Sequence, residues 1–162
     1  MRSELINPFI EATVSTFETM CRLKPVRSGN LQIRDGMITT YDFVGILGLS
    51  GSVKGAVVMS MPVELGKVVI GKFVGEAINE VNADLMDGFG EILNIIAGAA
   101  AAKIDALHPT SELEKKITLA LPTVVIGKDQ QLSCNKDKPW VIIPMVFKDL
   151  GAFDIEVAME EK

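Results

Sequence analysis

The sequence reads as an α+β chain, a mostly antiparallel sheet covered by long helices, and three features carry that reading. Apolar residues recur at helical spacing in separate stretches, and short β-branched and aliphatic runs lie between them. The order is helix, three strands, helix, helix, three strands, so two halves of about 75 residues share one plan. The 162 residues fit one domain spanning 1–162, and with 48% hydrophobic and 23% charged residues the chain can fill an ordinary core.

Taken in order, Asn7 can cap a helix with Pro8 at its first position. Phe9, Thr13, Phe17 and Met20 then keep helical spacing until Pro25, which predicts a helix near 8–22. Leu31 to Thr39, Tyr41 to Leu49 and Val53 to Met61 read as a small antiparallel meander, turning at Gly48-Leu49-Ser50-Gly51. Pro62 opens a helix over 62–74, with Val63, Lys67, Ile70 and Val74 on linked faces, and the longest helical stretch follows from Asn82 to Leu107, ended by Pro109. Strands return at Ile117–Leu121, Val141–Phe147 and Phe153–Val157. The last alternates strictly, which predicts one wet face.

Composition excludes several functions. With 16 Lys+Arg against 21 Asp+Glu the net charge is -5, which repels nucleic acid. Cys21 and Cys134 have no Cys-x-x-Cys spacing and no neighbouring His, so both read as buried apolar fillers in a reducing cytoplasm rather than zinc ligands or a disulfide. The start, MRSELINPFIEA, lacks the apolar run of a secretory signal. The longest apolar run, Ile95 to Ala102, is far short of a membrane span and suits a buried helix, so a soluble protein is expected.

Familiar catalytic signatures are also missing. Gly48-Leu49-Ser50-Gly51-Ser52 falls one residue short of a nucleophile elbow and sits in a strand-to-strand turn. Gly66-Lys67 and Gly71-Lys72 lack the remainder of a phosphate loop. His108, the one histidine, reads as a helix-end dipole partner, and Ser133-Cys134-Asn135-Lys136 as a chance polar match.

The informative stretch begins at Glu76. No Lys or Arg occurs from Phe73 through Ala102, while Glu76, Glu80, Asp84, Asp87 and Glu91 are spaced four, four, three and four apart. The early acids read as a solvated face near a helix start, with a Mg²⁺ or Ca²⁺ site as the other option. Farther on, Ala101, Asn94, Asp87, Gly98, Glu91 and Ala102 share a sector of roughly 100°, opposite Phe89, Ile96, Leu93, Ala100, Met86 and Ile104. A carboxylate and an amide thus stand about 4.5 Å apart along one axis, bordered by small residues that let another surface approach. Asparagine is mildly unfavourable inside a helix, so Asn94 serves either a local hydrogen bond or a task outside the chain. A neutral amide positions water well and a glutamate can pair with a lysine, but neither is a nucleophile. So sparse a site leaves most of the machinery to another molecule.

Asp87-Gly-Phe-Gly-Glu91-Ile-Leu-Asn94, with Gly98 four residues beyond the amide and Pro122 farther on, resembles the signature of the CheC/CheX/FliY family of chemotaxis phosphatases. At the pseudo-equivalent place in the first helix stand Asn7, Glu11 and Val14, so the second amide is lost and the likeness is to the one-site CheX type. That resemblance implies a pseudo-duplicated fold, a cytoplasmic homodimer joined through its sheets, and hydrolysis of the aspartyl-phosphate on CheY, a receiver-domain response regulator. Glu91 would pair with the receiver's lysine and Asn94 would orient the attacking water. Asp87, Gly98, Ala101 and Pro122 are expected at the partner surface, although Asp87 can instead orient the helix and Pro122 can shape a strand end. No cofactor or metal is expected on this chain, since Mg²⁺ would belong to the receiver. The alternatives are a non-catalytic module binding phosphorylated CheY, like some flagellar switch proteins, and a structural dimerisation domain or small-ligand binder whose acidic face is mere solvation. Asn94 discriminates the first pair.

Overall fold

A computed structural model describes residues 3–35, 37–39, 41–107, 116–127, 131–132 and 138–161. His108, Cys134 and the Ser133–Lys136 segment lie outside them. The first helix, α1 (Ser3–Cys21), begins about one turn earlier than expected and carries Pro8 inside it. Proline forfeits one backbone hydrogen bond there. Burial of Leu5, Ile6, Pro8 and Phe9 in the core offsets that loss, a tertiary term that local spacing does not reveal. The helix ends where Arg22 adopts a left-handed φ of 56° and the Leu23 N–H donates to the Phe17 carbonyl at 3.3 Å.

After α1 come β1 (Val26–Arg27), β2 (Gln32–Asp35), β3 (Met37–Ile38), β4 (Phe43–Ser50), β5 (Val53–Met61), α2 (Val63–Val74) and α3 (Ala83–Leu107). They are followed by β6 (Thr118–Leu119), β7 (Thr123–Ile126), β8 (Gln131–Leu132), β9 (Pro139–Phe147) and β10 (Gly151–Glu161). The main sheet is antiparallel in the order β1-β9-β10-β5-β4-β6, with β2 also on β9 and β7 also on β4. β4 and β5 form the expected hairpin. The Leu31–Thr39 run does not complete a meander, because β2 crosses to pair Gln32 with Ile142 of β9. Its counterparts β6 and β7 cross the other way, onto β4. Each half therefore lends its edge strands to the other, and β5 and β10 join the halves at the centre. This exchange is the pseudo-duplicated plan made physical.

All three helices lie over one face of the sheet. Phe43 stacks on Phe89 of α3 with ring centroids 3.9 Å apart, and Phe17 meets Phe147 edge-on at 5.0 Å. α3 is long and apolar enough to cross a membrane, yet it packs in this core, with Leu85, Phe89, Ile92, Leu93 and Ile96 fully buried. The opposite face has its own apolar cluster of Val44, Val58, Trp140 and Ala158. For that reason the wet face expected of β10 is absent. Asp154 is 7% exposed and Glu156 is 0% exposed. Alternation placed both acids on one face correctly, but it cannot say whether that face meets water.

Candidate active site on helix α3

α3 is fixed at its start by Asn82, whose side-chain oxygen accepts the Leu85 N–H at 2.9 Å. Glu76 and Glu80 precede this cap, so of the five acids only Asp84, Asp87 and Glu91 lie on the helix. Asp84, Asp87 and Glu91 are on the helix and exposed, while Leu85, Phe89, Ile92 and Leu93 are buried beneath them. The apolar rows are pinned because Gly45 of β4 has no side chain: a Cβ there would stand 3.0 Å from both Leu93 and Phe89. That packing sets the rotation of α3 and turns Glu91 outward with Asn94 half-buried at its edge.

Among the described residues, neither the Glu91 nor the Asn94 side chain takes part in a hydrogen bond or ion pair. The local explanation for an asparagine in this helix therefore has no support. The pseudo-equivalent place on α1 differs in kind. Glu11 accepts a hydrogen bond from Lys103 Nζ at 2.7 Å, and Val14 packs against the core. Only the α3 copy presents an unengaged carboxylate with an amide one turn on.

The expected small-residue border turns out to be partly roofed by the chain itself. Gly90 lies under Pro122 and Val124, and Gly98 lies under Leu119. Ala101, expected on the open face, is 6% exposed. A shallow groove of about 330 Å³ remains, lined by Met86, Asp87, Gly90, Glu91, Pro122 and Val124. It thus brings Pro122 to Asp87 and Glu91. The sequence did not reveal that Leu119 and Val124 flank the site, because β6 and β7 are placed by long-range pairing with β4. Leu119 pairs with Leu49 and Thr123 with Ile46, so three steps along β4 match four along its partner. The extra residue makes a bulge at 120–122, where Pro122 has no N–H to offer. Its sequence trace is the proline itself, interrupting an alternating run.

The chemistry of this arrangement is limited and specific. It offers the Glu91 carboxylate, with Asp87 one turn before it, and one neutral amide on a rigid rod, with no nucleophile beside them among the described residues. Among the described residues no three potential metal ligands gather. Cys21, the one cysteine among the described residues, is buried at the end of α1, and desolvation pushes its thiol up to about 11.

Comparison with known proteins places the chain in a family and a fold. The family model described as chemotaxis phosphatase CheX matches residues 43–146. The CheY-P phosphatase CheX of Thermotoga maritima is 24% identical over 133 residues, covering 82% of this chain and 81% of that one. The crystal structure of a chemotaxis protein CheX from Desulfovibrio desulfuricans superposes with a TM-score of 0.84 at 24% identity, over 97% of this chain and 99% of that one. A CheX–CheY–BeF3–Mg²⁺ complex from Borrelia burgdorferi contains a chain matching with a TM-score of 0.79 at 23% identity, over 99% and 100% of the two chains. Since the family match covers well over half the sequence, and the helix that carries the signature lies within it, the chain belongs to the chemotaxis phosphatase CheX family.

Proposed function

We propose that the protein is a CheY-P phosphatase that inserts Glu91 and Asn94 into the active site of a phosphorylated receiver domain. The observation that carries this reading is the unengaged pair itself: an exposed carboxylate and an amide, one turn apart on a helix locked into the core, whose side chains have no hydrogen-bond partner among the described residues. The relatives named as CheY-P phosphatase and as a CheX–CheY complex support the choice of partner.

In this mechanism Glu91 pairs with a lysine of the receiver and fixes the register of the two proteins. Asn94 then holds a water through its carbonyl and amide groups, in line with the phosphorus–oxygen bond of the acyl phosphate. Water attacks phosphorus, the aspartate carboxylate leaves, and inorganic phosphate is released. Such transfer needs alignment and charge stabilisation more than covalent help, and an amide that orients water is a known solution. A Mg²⁺ held by the receiver would neutralise phosphoryl charge, while this chain contributes only the two side chains. The reading extends to a cytoplasmic homodimer joined through the sheets, which sedimentation would test.

The direct test mixes the protein with a phosphorylated receiver and Mg²⁺ and follows phosphate loss. Asn94→Ala is expected to slow hydrolysis at least about tenfold with binding retained, and Glu91→Ala to weaken both. Undiminished hydrolysis by the Asn94 variant overturns the assignment.

A further inference from the structure

The strand segment that roofs the Glu91–Asn94 face carries one side chain that the hydrolysis itself does not use. Leu121 is 90% exposed, the most exposed large apolar residue among those described. Single exposed leucines are ordinary on protein surfaces, so exposure alone assigns nothing. Position and backbone supply the argument.

Gly90, Asn94 and Gly98 fall on one row of α3, four residues apart. Pro122 Cγ is 3.4 Å from where a Cβ on Gly90 would stand, and Leu119 Cδ1 is 3.7 Å from the same point on Gly98. The segment therefore runs antiparallel to α3, and residues 120 and 121 come abreast of Asn94. The spans agree, since eight helical residues rise about 12 Å and three extended ones about 10 Å. Ala120 is tied down, its N–H donating to the Gly48 carbonyl at 2.9 Å. The extra residue of the bulge then throws Leu121 outward rather than onto the core, the re-aiming that bulges beside functional sites perform.

We infer that Leu121 is the apolar anchor on which the receiver docks, beside the polar pair that enters its active site. The inference rests on the phosphatase reading above. Any receiver whose phosphoryl group reaches Asn94 lies across α3 and covers Leu121, because the two are abreast. The patch also has the anatomy of a small binding hot spot: one exposed apolar side chain adjoins Pro122, which with Asp87 and Glu91 lines the groove on α3, a stretch with no Lys or Arg between Phe73 and Ala102. It fits a receiver surface with an apolar spot next to a lysine.

The test compares the parent, Leu121→Ala, Leu121→Asp and Asn94→Ala. Two readouts are used: affinity for a CheY-type receiver loaded with Mg²⁺ and beryllofluoride, and steady-state hydrolysis of the phosphorylated receiver. Burial of a leucine side chain corresponds to roughly a tenfold change in affinity or more. Leu121→Ala is therefore expected to raise Kd and KM about tenfold with kcat within about twofold, and Leu121→Asp to raise them further. Thermal unfolding should be unchanged in both, because the side chain makes almost no contact within the fold. Parent-like affinity in the Leu121 variants overturns the anchor. If Asn94→Ala meanwhile loses hydrolysis, the phosphatase reading stands without it. If the parent neither binds nor hydrolyses, that reading falls and the anchor with it.

Discussion

Replacing Glu156 with glutamine should stabilise the protein at alkaline pH and leave it nearly unchanged in mild acid. Glu156 is 0% exposed on β10, opposite Val58 and Ile142, and both of its carboxylate oxygens lack a hydrogen-bond partner among the described residues. Desolvation, with the adjacent Asp154 charge, raises its pKa from the ordinary 4.5 to about 7, against a smaller opposing pull from Arg34 of β2. Tyr41 stands near Asp154 as well, and that charge adds to burial in raising its pKa. The folded protein therefore keeps a proton on Glu156 that the unfolded chain has already released. The associated stability is complete below 4.5 and is lost as pH rises through about 7. Between about pH 5 and pH 8 the parent should lose on the order of 2–3 kcal/mol from this residue. Glu156→Gln, a permanent mimic of the neutral form, should lose none of it. Urea unfolding of both proteins across that range measures the difference directly. A gap that stays constant with pH would refute the claim that a neutral carboxyl is buried there.

Glu91→Ala should weaken receiver binding several-fold at low ionic strength and much less at high salt, because an exposed ion pair is screened; equal loss at both would contradict the charge-pairing role. Gly55→Ala should destabilise by at least about 2 kcal/mol in denaturant melts, since a Cβ on Gly55 would sit 1.8 Å from the Ala158 backbone carbonyl in the central strand pair. In a Cys134→Ser background, the Cys21 thiol should react with a thiol reagent only as fast as the fold opens, being 2% exposed and with its pKa raised to about 11. Rapid modification of the folded protein would contradict its burial.

Much of this was legible from residue spacing. The α2 and α3 helices lie within a residue of where periodicity puts them, because Pro62, Asn82 and the apolar rows of α3 act locally. The outward face of α3 was likewise readable, and Glu91 and Asp87 are on it. What spacing could not show depends on partners far along the chain. Pro8 reads as a helix start only until Leu5 and Ile6 find the core. Gln32–Asp35 looks like a neighbour of β4 until it pairs with β9, across the pseudo-symmetry. Ala101 belongs to the outer sector by angle, yet it is buried. Asp154 and Glu156 alternate like solvent-facing residues, yet their face is closed, and this is where sequence pattern and physical environment diverge most.

The most direct measurement of the central claim is the single-turnover rate of acyl-phosphate loss from a receiver saturated with either the parent or Asn94→Ala. If a helix-borne amide supplies the aligned water, the parent accelerates the loss and the variant, though fully bound, returns it at least about tenfold toward the receiver's own rate. An equal rate in the two saturated complexes would contradict it.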